Sequence, residues 1–232
     1  PLPLQKWFLA IYLITSHKKG ISSVQLAKDI NVTQKTAWYM LHRLRHVSQT
    51  KSFNRSLSNT VEADETYIGG KEKNKHADKR TKNNQGRSTK TKTAVIGVKE
   101  RGGNVKAQVV ADTKGKTVKN FIVENVVIGS NLMTDEYRAY RGLGFAYTHD
   151  YVKHGKGEYV KGFCHTNGIE NFWSILKRGI VGIYHFVSEK HLNNYLAEFA
   201  FRHNTRDLEE SVRFNLFLEN CQGRLQYSEL IA

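Results

Sequence analysis

The chain has 232 residues, two cysteines and a formal charge of +15, with a pI near 9.8. This length can bury a core in one domain plus a small module. No run of about 18 apolar residues occurs, which argues against a membrane-spanning helix. Two cysteines provide no disulfide framework, which favours a reducing cytoplasmic location.

The charge of the chain favours a polyanionic partner. Neutralised phosphates supply most of the sequence-independent affinity of proteins for DNA. A protein that is merely basic is the alternative.

Residues 4–49 have helical patterns. Apolar residues predict a first helix that ends before Gly20, with a face formed by Leu4, Phe8, Ile11, Tyr12 and Leu13. Ser22 is followed at the third position by Gln25, which predicts a capping box at the start of a short helix. Thr33 can cap the longer basic helix that follows.

A short helix, a tight turn and a longer basic helix resemble a helix-turn-helix. We therefore interpret residues 1–50 as a DNA-binding module. Its predicted DNA contacts are Lys35, Arg43 and Arg45, on or beside an exposed surface that also carries His42 and His46. A small helical bundle with a solvated basic face is the alternative, and the pattern assigns no base-reading residue.

A polar linker is predicted at 51–59, after which strands and helices alternate. Strands are predicted at 60–68, 93–99, 105–110, 131–134 and 146–152, and a helix at 117–126. These elements predict an α/β catalytic domain over 60–206, followed by a C-terminal extension over 207–232.

Residues 69–92 form a long basic loop without an apolar period. The loop holds nine lysines or arginines and two acids. It is either a solvated segment or a segment that closes on DNA beside the chemistry.

Three acidic residues lie in settings that suit metal-bound carboxylates. Asp64 and Asp135 are expected at the ends of strands, and Glu170, separated from Asp135 by 34 residues, begins a helix. Two Mg²⁺ ions about 3.5–4 Å apart can activate an oxygen nucleophile and relieve charge on the leaving oxygen. A carboxylate set without His or Cys favours Mg²⁺ or Mn²⁺ over Zn²⁺.

Lys177 follows Glu170 by seven residues, which places the two within about 20° of each other on a helix and two turns apart. Glu170 can then reach metal while Lys177 meets phosphate. An amphipathic helix with ordinary boundary charges is the alternative.

Four segments together resemble insertion-sequence transposases of the ISXO-like DDE branch. They are ISSVQLAKDINVTQKTAWYMLHRLR, VEADETYIGGKEK, TDEYRAY and the long segment that begins HTNGIENFWSILKRG. The resemblance implies a ribonuclease H-like mixed sheet flanked by helices. It also implies that Asp64, Asp135 and Glu170 are the metal-binding triad and that Lys177 contacts phosphate.

Such transposases usually begin with a cysteine-rich zinc ribbon, and the sequence, which starts at Pro1, shows none, so recognition of the element ends by this chain stays open. Because the chain opens on Pro1 rather than methionine, we expect it to be a fragment.

Several neighbours of the triad are secondary candidates. Arg178 is predicted to bind DNA beside Lys177. Some relatives carry asparagine in place of the third acid, which draws attention to Asn167 and Asn171, and His165 is expected to orient the site or contact DNA. By strand alternation, Glu65 and Glu136 are expected to point away from their aspartate neighbours. A zinc site is weakly suggested, but its four candidates match no standard finger spacing: His149, His154, Cys164 and His165.

The leading hypothesis is a DNA transposase that cuts at transposon ends and joins the freed 3′-OH to target DNA. Expected partners are double-stranded DNA, two Mg²⁺ or Mn²⁺ ions and further copies of the chain, in the prokaryotic cytoplasm at the nucleoid. The alternatives are a ribonuclease H-like nuclease or resolvase without joining, and a DNA-binding protein whose catalytic site is retired.

Overall fold

A computed structural model describes residues 2–49, 55–70, 76–81, 91–221 and 225–231. Four of the nine residues of the predicted linker and more than half of the predicted basic loop lie outside the described residues. The chain divides into two compact units, one of Ser56–Trp173 and one of Pro1–Arg55 with Ser174–Ala232. No helix in the described ranges combines the length and apolar character needed to cross a membrane.

The first unit is built on a five-stranded mixed sheet. In the order β3-β2-β1-β4-β5, β1, β2 and β3 are antiparallel, while β4 and β5 run parallel to β1. This sheet and its flanking helices confirm the predicted α/β class and the predicted mixed sheet flanked by helices. The strands are β1 Thr60–Ile68, β2 Thr93–Glu100, β3 Val105–Val110, β4 Asn131–Asp135 and β5 Thr148–Val152.

Helix α4 (Gly115–Asn125) makes the crossover from β3 to β4 and covers one face of the sheet. Its buried residues Val118, Phe121 and Ile122 join a core with Val61 and Ile96 of the strands. Short 3-10 turns lie between β1 and β2 at Ala77–Lys79, and after α4 at Arg138–Tyr140, Leu143–Phe145 and His154–Lys156. The predicted strands and the predicted helix all form, with ends shifted by two residues or fewer.

The second unit is helical. It contains α1 (Leu4–Ser16), α2 (Ser23–Asp29), α3 (Gln34–Val47), the last residues of α5 (Asn167–Gly179), a π-helical turn (Ile180–Tyr184), α6 (Glu189–Asn204), α7 (Glu210–Glu219) and α8 (Tyr227–Ile231). As predicted, the hydroxyl of Ser22 accepts the Gln25 N–H and that of Thr33 accepts the Thr36 N–H. The Gln25 side chain donates to Asp29 at 2.6 Å. In a complete capping box it would instead bond to the backbone of Ser22.

The compact units differ from the predicted domains 1–50 and 60–206. Helix α6 belongs to the same unit as α1–α3, because Phe201 joins their apolar core together with Phe217 of α7. The apolar face of α1 is also rotated from the predicted one. Ala10, Ile11 and Ile14 are buried, whereas Leu4, Phe8 and Tyr12 are exposed.

Two residues predicted on the exposed surface of α3 are buried instead. Arg45 is 1% exposed and His42 is fully buried. The Arg45 guanidinium pairs with Glu198 and lies 3.9 Å from the centre of the Tyr195 ring. The prediction that Arg45 contacts DNA is therefore wrong, because its side chain is buried in an ion pair with Glu198. Lys35 is exposed, and Arg43 is half-buried over the Trp7 ring.

Glu198 is the electrostatic centre of the helical unit. Its carboxylate pairs with Arg202 and Arg45 and accepts a 2.7 Å hydrogen bond from the Tyr184 hydroxyl. Burial acts to raise the pKa of Glu198, but Arg202 and Arg45 outweigh it and lower the pKa to about 2. A depressed pKa means that this carboxylate contributes stability above about pH 4.5, and that the contribution is lost as the pH falls towards 2.

We predict that Glu198→Gln lowers the free energy of unfolding by about 3 kcal/mol or more at pH 7, because it leaves two buried arginines without their counter-charge. Urea unfolding followed by circular dichroism measures the change. Glu189→Gln, at an exposed position of the same helix, serves as the matched control. Equal stabilities of the two variants would contradict this account.

Candidate active site

Three carboxylates meet where β1 passes the end of β4. One oxygen each from Asp64, Glu65 and Asp135 lies within 4.8 Å of the others. Parallel pairing matches Thr60 with Asn131 and continues to Glu62 with Met133. Extended by two residues, the same register sets Asp64 beside Asp135. Equal register positions on neighbouring parallel strands face the same side about 4.8 Å apart.

Asp135 ends its strand, as predicted, but Asp64 does not. Asp64 is the fifth residue of the nine in β1 and pairs with Gly97 of β2. The expected strand-terminal position of Asp64 is therefore wrong. Asp64 is nevertheless open to the site, because the neighbouring strand β4 ends at Asp135.

The expectation that Glu65 points away from Asp64 is also wrong for its carboxylate. Alternation directs the Glu65 side chain to the opposite face of β1. No residue of β4 lies beside Glu65, however, since β4 has ended, so the longer glutamate side chain reaches round the strand edge. The buried Tyr140 hydroxyl donates to Glu65 Oε2 at 2.9 Å and holds it there. Glu136, in contrast, accepts hydrogen bonds from the backbone of His154 and Gly155.

Helix α5 is fixed to Asp64 by a tryptophan. The indole Nε1–H of Trp173 donates to Asp64 Oδ2 at 3.1 Å. Its ring lies against Gly97, the cross-strand partner of Asp64, where an added Cβ would come within 2.5 Å of the ring. A glycine at this position thus lets the indole reach the carboxylate.

Glu170 lies one helical turn before Trp173, on the same face of α5. Its Oε1 accepts a 2.7 Å hydrogen bond from the Thr166 hydroxyl and is 3.4 Å from His154 Nε2. Glu170 contributes to the electrostatic field at Asp64, but its carboxylate is not one of the three that lie within 4.8 Å. Two of the predicted triad are therefore brought together with Glu65, and the third borders this group.

A buried salt bridge sets the start of α5. The fully buried Glu62 accepts the Ile169 N–H at 3.0 Å and the Arg101 Nε–H at 3.0 Å. Arg101 also donates to the carbonyl oxygens of Phe163 and His165. No local signal in the sequence marks Arg101 as the partner of Glu62, because the two residues are 39 positions apart. His165 Nδ1 lies 3.3 Å from the Glu62 carboxylate, so His165 belongs to this network.

The remaining predicted residues are on the surface of α5. Asn167 and Asn171 are exposed, as are Lys177 and Arg178 in the last turn. Arg178 Nε donates to the Ser174 carbonyl oxygen at 3.3 Å. Among the described residues, the carboxylates of Asp64, Glu65 and Asp135 are the one group with metal-compatible spacing, and none of the weakly suggested zinc ligands belongs to it.

Burial, together with the neighbouring carboxylates, raises the pKa of Asp64 to about 8, from an ordinary value of 3.8. Burial is the largest cause, followed by the charges of Glu65 and Asp135, and Glu170 adds to the effect. A divalent cation among these oxygens would reverse the shift, because it favours the ionised form. An all-oxygen donor set fits a hard cation such as Mg²⁺.

Comparison with known proteins identifies the family. Residues 56–204 match the model of the ISXO2-like transposase domain. The chain belongs to this family. The match coincides closely with the catalytic domain predicted over 60–206, although the compact units divide the chain after Trp173.

Relatives of this ISXO2-like chain have been described. It is 31% identical over 209 residues to an uncharacterized protein in transposable element ISH50 of Halobacterium salinarum, covering 86% of this chain and 69% of that protein. Two crystal structures of Mos1 complexes are each 9% identical in sequence to this chain. The strand transfer complex has a TM-score of 0.37, with 92% of this chain and 74% of that chain covered. The pre-cleavage transpososome has a TM-score of 0.24, with 88% and 75% covered.

We predict that Asp64→Asn stabilises the metal-free protein above pH 8. The raised pKa means that Asp64 adds stability below about pH 4, which is lost progressively as the pH rises to about 8. The amide of the Asp64→Asn variant does not ionise, so the variant does not lose this stability. Its side-chain oxygen can still accept the Trp173 hydrogen bond. In EDTA, thermal unfolding should give a Tm at least about 2 °C above wild type at pH 8.5, and the difference should shrink towards pH 4.

Asp207→Asn, at an exposed aspartate, is the control and should leave Tm unchanged across this range. Added Mg²⁺ should raise the Tm of the wild type and of the control, but much less that of Asp64→Asn. A variant that is less stable than wild type at pH 8.5 would refute the prediction.

Proposed function

We propose that this chain is a DNA transposase of an insertion sequence, which cleaves DNA at the ends of the element and transfers the freed 3′-OH into target DNA. The observation that carries the proposal is the register that sets Asp64 beside Asp135, with the helix of Glu170 tied to Asp64 through Trp173. Membership of the ISXO2-like family supports the same activity.

Asp64, Asp135 and Glu170 are the proposed ligands of divalent cations, two Mg²⁺ or Mn²⁺ ions. When bound, such cations neutralise phosphate charge and lower the pKa of an attacking water or hydroxyl. Glu65 adds negative charge beside them and is held by Tyr140. To join them, the Glu170 carboxylate has to rotate away from the Thr166 hydroxyl, from which it now accepts a hydrogen bond.

The chemistry is two in-line displacements at phosphorus. In the first, water forms a P–O bond at the element end while the bond from phosphorus to the 3′ oxygen breaks, which frees the 3′-OH. In the second, this hydroxyl attacks a target phosphodiester, whose own 3′ oxygen leaves. The residues act by positioning the reactants and stabilising charge.

DNA contacts are proposed on two helices. Lys177 and Arg178 are exposed in the last turn of α5, two helical turns after Glu170. Lys35 is exposed at the start of α3, and in a helix-turn-helix this end of the second helix enters the major groove. Arg43 completes the proposed contacts. We further propose that the chain acts as a homo-oligomer on double-stranded DNA.

A retired catalytic site is the second candidate. One observation favours it: Glu170 stands outside the close carboxylate group and its Oε1 accepts a hydrogen bond from Thr166. On this alternative, the protein binds DNA without cutting it.

We predict that Glu170→Gln lowers the rates of cleavage and strand transfer by at least about 100-fold, because it removes one stabilising charge from the site. The assay follows a labelled duplex that carries the element end, mixed with target DNA and Mg²⁺. DNA affinity and Tm should stay within error of wild type. Glu124→Gln, at an exposed position of α4, should react normally.

The products distinguish the candidates. Cut but unjoined DNA from the wild type would indicate a nuclease, and bound but uncut DNA would indicate a retired site. A fully active Glu170→Gln variant would remove Glu170 from the catalytic set.

A further inference from the structure

A cavity of about 570 Å³ opens beside the three carboxylates and shares Asp135 with them. Its walls come from the turn after β4 and from β5 with the turn that follows it. These two parallel strands end at the same edge of the sheet, and ligands of open α/β sheets bind in the crevice outside the carboxyl ends of strands. A polymer that reaches Asp135 therefore has its neighbouring unit at this cavity.

The cavity is lined by four exposed cationic side chains: Arg138, Arg141, Lys153 and Lys156. None of them is ion-paired with a residue in the described part of the chain. Its two acidic residues are already engaged, since Asp135 belongs to the carboxylate group and Glu136 accepts two backbone hydrogen bonds of 2.8 Å. The cavity thus offers cations to an anion, and Arg and Lys are the usual partners of phosphate.

An aromatic wall accompanies these cations. Tyr151 of β5 is 42% exposed, and Lys153 Nζ lies 5.9 Å from the centre of its ring. The His149 ring centre is 6.4 Å from that of Tyr151. Exposed aromatic rings combined with cations are the arrangement that holds single-stranded nucleic acid, because bases stack on the rings and phosphates meet the cations.

The volume of the cavity limits the size of the ligand that it can hold. Sites for small organic ligands measure about 300–1,000 Å³. A cavity of about 570 Å³ therefore has room for one nucleotide and is too small for a segment of duplex.

We propose that this cavity binds one unpaired nucleotide of the DNA strand that is cut or joined, next to the reacting phosphate. Its base stacks on Tyr151, and its phosphates meet Arg141 and Lys153. This inference rests on the proposed function, since it assigns a substrate feature to the same site. It implies that DNA is unpaired locally beside the cut.

The test uses the full chain in EDTA, so that binding is measured without catalysis. The probes are an element-end duplex with a three-nucleotide single-stranded extension carrying 2-aminopurine, and the blunt duplex of the same sequence. Wild type should bind the extended duplex at least about tenfold more tightly and quench the 2-aminopurine fluorescence. Tyr151→Leu should lose the quenching and about five- to hundredfold in affinity for the extension.

Lys153→Gln should weaken binding of the extended duplex and reduce the slope of log affinity against log salt by about one. The matched controls are Phe145→Leu, at a fully exposed ring outside the cavity, and Lys116→Gln, at an exposed lysine of α4. Both should behave as wild type.

Two outcomes would overturn the inference. One is equal affinity of wild type for extended and blunt duplexes, with Tyr151→Leu unchanged. The other is competition by free adenosine monophosphate or inorganic phosphate at the affinity of the extended DNA, which would make the cavity a small-molecule site. The cleavage assay separates the two proposals: cutting and joining without preference for an extension overturns the cavity inference alone. Absence of cutting, with the Tyr151-dependent preference intact, overturns the catalytic proposal alone.

Discussion

The candidate active site depends on the parallel pairing of β1 with β4. That register sets two aspartates from distant parts of the chain beside each other and adds Glu65 from the strand edge. Burial is the largest cause of the raised pKa of Asp64, and the like charges of Glu65 and Asp135 raise it further. The strands β1 and β2 that hold the site are mostly buried, packed by α4 and, at Gly97, by Ile169 and Trp173 of α5. Such stored repulsion is typical of sites that are complete only with a cation.

A second constraint decides where the third acid lies. Trp173 ties α5 to Asp64 across Gly97, and Glu62 with Arg101 fixes the first turn of the same helix. Glu170 sits between these two anchors. Its Oε1 contacts Thr166 and His154, so a cation site shared with Asp64 and Asp135 requires the Glu170 carboxylate to leave the Thr166 hydroxyl.

The sequence predicted the strands well, helped by the many β-branched residues of β1, β2 and β3. It also located both aspartates and the capped helices at the N-terminus. It failed where distant contacts override local pattern. Arg45 and His42 have the spacing of an exposed basic face, yet Glu198, 153 residues away from Arg45, draws that arginine into the core. Strand alternation predicted that the Glu65 carboxylate points away from Asp64. It lies beside Asp64 because β4 ends at Asp135 and leaves room at the edge of β1, which the sequence pattern does not show. The grouping of α6 with α1–α3 was equally invisible, because it depends on tertiary packing.

The central claim is that Asp64, Asp135 and Glu170 together hold divalent cations. Anomalous diffraction from crystals soaked in Mn²⁺ tests it most directly, because the peaks identify the ion and its ligands. The account predicts Mn²⁺ within about 2.5 Å of oxygens of Asp64 and Asp135, with the Glu170 carboxylate rotated into coordination. Mn²⁺ bound without Asp64 or Asp135, or Glu170 still held by Thr166 with an ion in place, would contradict it.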